Sequence, residues 1–273
     1  MSELTEMQNR LLKMLSYFHD FCAKSNICYY VIGGTALGAV RHNGFIPWDD
    51  DIDVGLPRPD YERFIRLFPK DNVKYIVESV YSSDASFCYS FSKIYDTSTT
   101  LVENTTTQLK RGIYIDVFPI DGIGNTSKEA RKAFLRISRK KNLMTMRTIR
   151  INSARKWYKN ALLWVVQHIP DRIAGEKKLC FEINRMCKKK KYEENKIVGN
   201  LVGAWGKKEI IPKRLLGTPT LHKFENIEVY IPERYDEYLS HIYGDWRKLP
   251  PKEKRVSHHG YKLDLNHSYL DSI

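Results

Sequence analysis

The sequence predicts an α+β protein: a mixed-sheet core, a basic and mainly helical insertion, and a small C-terminal region that completes the unit. Three observations predict it. Short β-type apolar runs bounded by glycine, proline and polar turns recur through the first half of the chain. A stripe of helical period precedes them, and a long Lys- and Arg-rich stretch with helical apolar spacing follows them.

Leu4, Met7, Leu11, Leu12, Leu15, Phe18 and Phe21 recur at helical spacing and predict an amphipathic helix packed on the core. Strands are expected near 29–32, 51–56, 74–80, 87–95 and 113–118, and a helix over 58–68 where Pro57 and Pro59 open it. The region 127–200 reads as mostly helical. Over 207–231 the chain has short β-like pieces interrupted by Pro212 and Pro219 and closed by Pro232, and 233–243 reads as a helix. No Gly/Ser linker separates these regions, so the units 1–126, 127–200 and 201–273 have soft boundaries.

The 273 residues exceed one average domain, and 42% hydrophobic content is enough for a sizeable core. No basic-then-apolar leader with a cleavage site is visible. The longest apolar stretch, Ala161 to Val166, falls far short of the ~20 residues that span a bilayer. Cys22, Cys28, Cys88, Cys180 and Cys187 are odd in number and contain no C-x-x-C pair, which argues against a disulfide framework and a zinc ribbon. His258 and His259 form no ligand pattern with them. A reducing, cytoplasmic compartment is expected.

Charge is uneven. Lys128–Lys191 holds 20 Lys and Arg against 4 Asp and Glu, which exceeds the +13 of the whole chain and leaves the remainder net acidic. Phe134, Ile137, Leu143 and Met144 interleave with Arg136, Arg139, Lys140 and Lys141, and Trp157, Leu162 and Trp164 follow. A charge run is commonly just a solvated face. The sharper expectation is a platform on an anionic membrane surface. RNA competes for the same charge, but no RNA module or aromatic RNP pattern is present, so nucleic acid is disfavoured.

Chemistry concentrates in one stretch. Tyr29-Tyr30-Val31-Ile32, then Gly33-Gly34, then Thr35 to Val40 reads as strand, glycine turn and helix, which is the geometry of a phosphate cradle at Gly33, Gly34 and Thr35. Alternation through Asp51-Ile52-Asp53-Val54 places Asp51 and Asp53 on one strand face, where two carboxylates can hold a hard divalent cation. Singly, a glycine pair is a turn and an acidic cluster a solvated loop. Together, with Ile52 and Val54 between and after the carboxylates, they indicate a metal-phosphate site. Asp116, isolated in the apolar run Ile113 to Phe118, needs a metal or a hydrogen-bond donor if buried. By the same alternation Asp49 shares the Asp51 face, as an outer ligand or a substrate contact.

Gly33 to His42, followed by Gly44-Phe45-Ile46-Pro47-Trp48-Asp49-Asp50-Asp51-Ile52-Asp53-Val54 and Pro57-Arg58, resembles the LicD family of phosphocholine transferases. That family is a branch of the nucleotidyltransferase-fold superfamily and includes the fukutin-related proteins. Gly112 to Asp121 and Tyr243-Gly244-Asp245 with Leu249-Pro250-Pro251 extend the likeness toward both ends of the chain. The resemblance implies a nucleotidyltransferase-like core, with Asp116 joining Asp51 and Asp53 as catalytic residues around Mg²⁺ or Mn²⁺. It implies CDP-choline as donor and a sugar of teichoic acid or lipopolysaccharide type as acceptor, carried on a lipid, so that the protein works peripherally at the inner face of the cell membrane. Arg41, His42 and Lys93 are then candidates to donate hydrogen bonds to the diphosphate. Trp48, Tyr89, Tyr95 and Tyr114 are candidates to face the quaternary ammonium. A nucleotidyltransferase acting on a small molecule or sugar, and a non-catalytic membrane or RNA adaptor, stay open as alternatives.

Overall fold

The computed structural model describes residues 4–84, 86–103, 109–256 and 261–272, so His258 and His259 lie outside the described residues. Helix α1 (Glu6–Lys24) opens on a capping box between Thr5 and Gln8 and buries Leu11, Met14, Leu15, Phe18 and Cys22. Strand β1 (Tyr30–Val31), helix α2 (Gly33–His42), strand β2 (Asp53–Pro57) and helix α3 (Arg58–Leu67) follow. Next come β3 (Tyr75–Glu78), β4 (Ser92–Asp96), β5 (Thr100–Glu103), β6 (Lys110–Arg111) and the long β7 (Tyr114–Gly124).

The principal sheet is mixed. Its order is β1-β2-β7-β4-β3, with β2 parallel to β7 and the other neighbours antiparallel. The far end of β7 pairs with β8 (Ile197–Gly199), which in turn pairs with β9 (Ile210–Pro212). A hairpin of β10 (Thr220–Phe224) and β11 (Ile227–Ile231), helix α8 (Tyr235–Tyr243), and β12 (Tyr261–Asp264) pairing on β5 complete the C-terminal region.

Between β7 and β8 lie α4 (Ser127–Thr148), α5 (Trp157–Gln167), α6 (Asp171–Ala174) and α7 (Glu176–Cys187). This segment is mostly helical, as its periodicity predicts. One apolar core runs from Met7 of α1 through the sheet to Ile137, Ile183 and Trp246, so insertion and C-terminal region both pack on the central strands. Arg58, from the Pro57-Arg58 pair, donates bidentately to Asp121 of β7 at 2.7 and 2.6 Å and to Asn184 of α7 at 2.9 Å. That buried trio ties α3, the sheet and the insertion at one point.

Two strand expectations are corrected. Strand pairing begins at Asp53 rather than Asp51, although the backbone N–H of Asp116 already donates to the Ile52 carbonyl and burial alternates from Asp51 to Val54. The apolar run over 87–95 pairs only from Ser92. Its first half leaves the ladder and lays Phe87, Tyr89 and Phe91 as a ring series beside the sheet.

Candidate active site

Register across the sheet brings the site together. Asp53 on β2 is paired directly with Asp116 on β7, and Asp116 with Lys93 on β4. Paired residues share a face, so three charged side chains form one row across three strands. Lys93 is buried, its Nζ 2.7 Å from Asp116 Oδ1 and 3.8 Å from Glu103 Oε1. Tyr114, Tyr89 and Phe91 surround the ammonium, with ring centroids 3.3, 4.7 and 5.5 Å from Nζ. Lys93 thus already occupies the faces of Tyr89 and Tyr114 that were candidates for choline, and Tyr95 is wholly buried. Of the four sequence candidates, Trp48 alone lies apart from this cage and stays partly exposed.

The glycine pair meets the acidic run. Helix α2 starts at Gly33, which takes φ +56°, and a Cβ there would lie 3.1 Å from Asp53 Oδ2; a Cβ on Gly34 would lie 2.9 Å from Asp49 Oδ2. The two carboxylates therefore press on the helix start, where partial positive charge favours them. Thr35 accepts the backbone N–H of Asp53 on its hydroxyl at 2.9 Å, and Gly33 donates its N–H to the Tyr238 hydroxyl at 3.3 Å. Gln8 of α1 donates to the Asp49 carbonyl at 2.9 Å.

Arg41 and His42 stand apart, at the other end of α2 and about 12 Å along its axis from Gly33. Arg41 donates to the Trp246 carbonyl at 2.9 Å and to His42 Nε2 at 3.0 Å. Trp48 packs edge-on to His42, and the Arg255 guanidinium lies 5.6 Å from its ring. The predicted residues thus fall into two groups: Gly33, Gly34, Thr35, Asp51, Asp53, Asp116 and Lys93 at or beside the sheet row, and Arg41, His42 and Trp48 at a basic, aromatic corner.

Electrostatics distinguish the carboxylates. Burial pushes Asp53 well above the ordinary range, and the charges of Asp51, Asp116 and Asp49 push it further. Burial also raises Asp116, but Lys93 pulls it back, leaving it at about 6. Burial works against the Lys93 ammonium, yet Asp116, Tyr89 and Glu103 more than offset it and hold it above its ordinary value. Among the described residues no three His, Cys, Asp or Glu side chains close a metal site as they stand. The donor set nonetheless fits a hard divalent cation: oxygen ligands only, crowded like charges, and a single ammonium engaged by one of them.

Several contributors were not among the predicted site residues. Tyr238 reaches Gly33 from 205 positions away. Tyr243, half-buried near Asp53 and Asp49, packs on Trp205 with ring centroids 5.0 Å apart. Glu209 is buried, raised to about 7 by that burial, and accepts the Trp205 N–H at 2.8 Å, which anchors the preceding loop. Tyr89 and Phe91 also line a cavity of about 260 Å³ that Met144, Thr145 and Thr148 of α4 and Ile183 of α7 close from the other side.

These features define a class: an α+β protein with a carboxylate-centred site on a mixed sheet, set against the start of a helix. Residues 26–153 match the LicD/FKTN/FKRP nucleotidyltransferase domain. The chain is 32% identical over 262 residues to the lipopolysaccharide cholinephosphotransferase LicD of Haemophilus influenzae, covering 94% of this chain and 96% of that one. Shorter matches of 60 residues, at 42% and 40% identity, join it to uncharacterized proteins of Rickettsia typhi and Rickettsia prowazekii; they cover 22% of this chain and 19% and 23% of those proteins. The chain belongs to the LicD family.

Proposed function

We propose that this protein transfers phosphocholine from CDP-choline to a sugar hydroxyl of a surface-glycan precursor, of lipopolysaccharide or teichoic acid type, with Mg²⁺ or Mn²⁺. The observation that carries the reading is the row Asp53–Asp116–Lys93 laid across three strands at the start of α2. The full-length likeness to a named cholinephosphotransferase supports the group transferred and the acceptor class.

Asp51, Asp53 and Asp116 would hold the cation, which when bound neutralises the diphosphate and the charge growing on the leaving group. Lys93, caged by aromatic rings, fixes the Asp116 carboxylate through a 2.7 Å ion pair. The acceptor oxygen forms its bond to the choline-side phosphorus as the bond from that phosphorus to the CMP oxygen breaks, and the electron pair leaves with CMP. The hydroxyl proton goes to a carboxylate. Asp116 meets that task by its position, because a bound cation would draw its carboxyl below the value of about 6 that burial gives it without metal. Arg41, His42, Arg255 and Trp48 offer cationic and aromatic contacts for the nucleotide half.

An acceptor carried on a lipid would place the enzyme peripherally at the inner membrane face. Among the described residues no helix is long and apolar enough to cross a membrane. The deciding experiment measures CMP release from CDP-choline by purified protein, with and without Mg²⁺ and a glycan acceptor. Metal-independent release, or pyrophosphate release from CTP in place of CMP, would overturn this reading, and the second outcome would favour a nucleotidyltransferase.

A further inference from the structure

Three of the basic residues that sequence alone offers to a membrane are engaged within the protein. Lys140 pairs with Glu182 at 2.6 Å, Lys141 donates to the Gly203 carbonyl, and Arg147 is buried. Arg147 donates to the carbonyls of Val166 and Ile169, at 3.1 and 2.9 Å, and pairs with Asp171 at 2.6 Å. Gln167 returns the favour, donating to the carbonyls of Met146 and Ile149 at the end of α4. Each helix thus caps the other's C-terminus, and α5 is held as a fixed ridge on α4.

What that ridge presents outward is apolar. Leu163 and Val166 turn inward and are buried, whereas Trp157 is 80% exposed and Tyr158, Leu162, Trp164 and Val165 are each half exposed or more. Helical geometry gathers Trp157, Tyr158, Ala161, Leu162, Trp164 and Val165 on the side away from α4. Within α5 the only charged residue is Lys159. Exposed Lys156, Lys159 and Arg172 stand at its ends and flank. Over residues 149–173 five basic residues face one acidic residue, Asp171, which Arg147 already neutralises. An apolar ridge with tryptophans in both halves and a cationic rim complements an anionic lipid surface: tryptophan suits the headgroup level, lysine and arginine suit anionic headgroups. At 11 residues α5 is about 16 Å long, half a bilayer core, so it lies in the interface and does not span.

We propose that the outward face of α5 is the surface by which this protein docks on anionic membranes, inserting Trp157, Leu162 and Trp164 at the headgroup level. The inference deepens the peripheral placement above and rests on the lipid-linked acceptor only for its purpose, not for its geometry.

The test uses the full chain and two vesicle preparations, phosphatidylglycerol-containing and pure phosphatidylcholine. Wild-type protein should co-sediment with the anionic vesicles, with a blue shift of tryptophan emission. Combined Trp157→Ser, Leu162→Ser and Trp164→Ser should abolish sedimentation while thermal unfolding and CMP release with a soluble acceptor stay as in wild type. Lys156→Gln and Lys159→Gln should each weaken binding roughly fivefold, and high salt should do the same. Absence of vesicle binding, equal binding to neutral vesicles, or full binding by the triple variant would each overturn the proposal. So would a wild-type dimer that the triple variant converts to monomer without any vesicle binding, which would assign the face to a second copy of the chain. Vesicle binding that persists where CMP release fails in wild type would refute the transferase reading alone.

Discussion

Replacing Asp53 by Asn should stabilise the metal-free protein and abolish turnover. Asp53 is half-buried, its nearest charges are carboxylates, and the one ammonium in the row is engaged by Asp116. Residues paired directly across neighbouring strands hold their side chains about 5 Å apart. Two like charges at that distance repel by about 3 kcal/mol at an effective dielectric constant of about 20. The start of α2 returns about 0.3–1 kcal/mol to the Asp53 carboxylate. Repulsion wins, so removing the charge should add about 2 kcal/mol, or about 4–8 °C in Tm for a chain of this size. The sign of the pH dependence is fixed by the same shifts. A carboxylate raised in the folded state binds its proton more tightly there than in the unfolded chain, so its contribution is present in acid and lost as pH rises. For Asp116 that loss falls between the ordinary 3.8 and about 6, and Asp53 adds in the same sense. Thermal unfolding of both proteins at pH 5 and pH 8, with and without MgCl₂, is the assay. Metal should raise the wild-type Tm at pH 8 and leave Asp53→Asn nearly unmoved. A lower Tm for Asp53→Asn than for wild type in metal-free buffer at pH 8 would refute the reasoning, because it would show the carboxylate held by favourable contacts.

Arg58→Met should cost about 3–5 kcal/mol in denaturant unfolding, since it leaves Asp121 buried and unpaired. Gly33→Ala should destabilise by about 1–2 kcal/mol, for a left-handed residue whose Cβ meets Asp53, and should lower kcat in the CMP-release assay. Lys93→Met should raise the apparent pKa on the acidic limb of the kcat profile, because Asp116 loses the group that holds it down; an unmoved limb would exclude Asp116 as the proton acceptor. Tyr238→Phe should cost about 1 kcal/mol of stability, the loss of one acceptor for the Gly33 N–H, with the metal response intact.

Local signals were legible in the residues; partnerships across the chain were not. The stripe from Met7 to Phe18 gave α1, the glycine pair gave the start of α2, and an aspartate isolated among apolar neighbours gave a half-buried Asp116 held by a lysine. That Asp53 faces Asp116 depends on β2 running parallel to β7, a register set by packing between segments 63 positions apart. Tyr89 and Phe91 read as strand because apolar alternation looks alike whether a chain pairs in a ladder or folds over a lysine. Charge counting gave the sign of the insertion but not its use. Arg147 and Lys141 look like surface cations in sequence, yet their carbonyl and carboxylate partners come from other elements.

Those partnerships bring the helices between β7 and β8 up to the rings around Lys93. Tyr89 and Phe91 face the Lys93 ammonium and also line the cavity that α4 closes with Met144, Thr145 and Thr148. The same helix carries Arg147, whose guanidinium caps the ridge helix α5. Between the exposed tryptophans and the ion pair of Asp116 therefore lie α4, the cavity and the two aromatic rings. Close-packed interiors transmit displacement because a gap of even half an ångström forfeits contact energy on both sides. A shift of α5 against a lipid surface would be felt first at Arg147, then at the cavity wall. The cavity interrupts that packing and has the room to absorb a shift of α4, so the carboxylate row should work on a soluble acceptor alike whether or not α5 rests on a lipid surface.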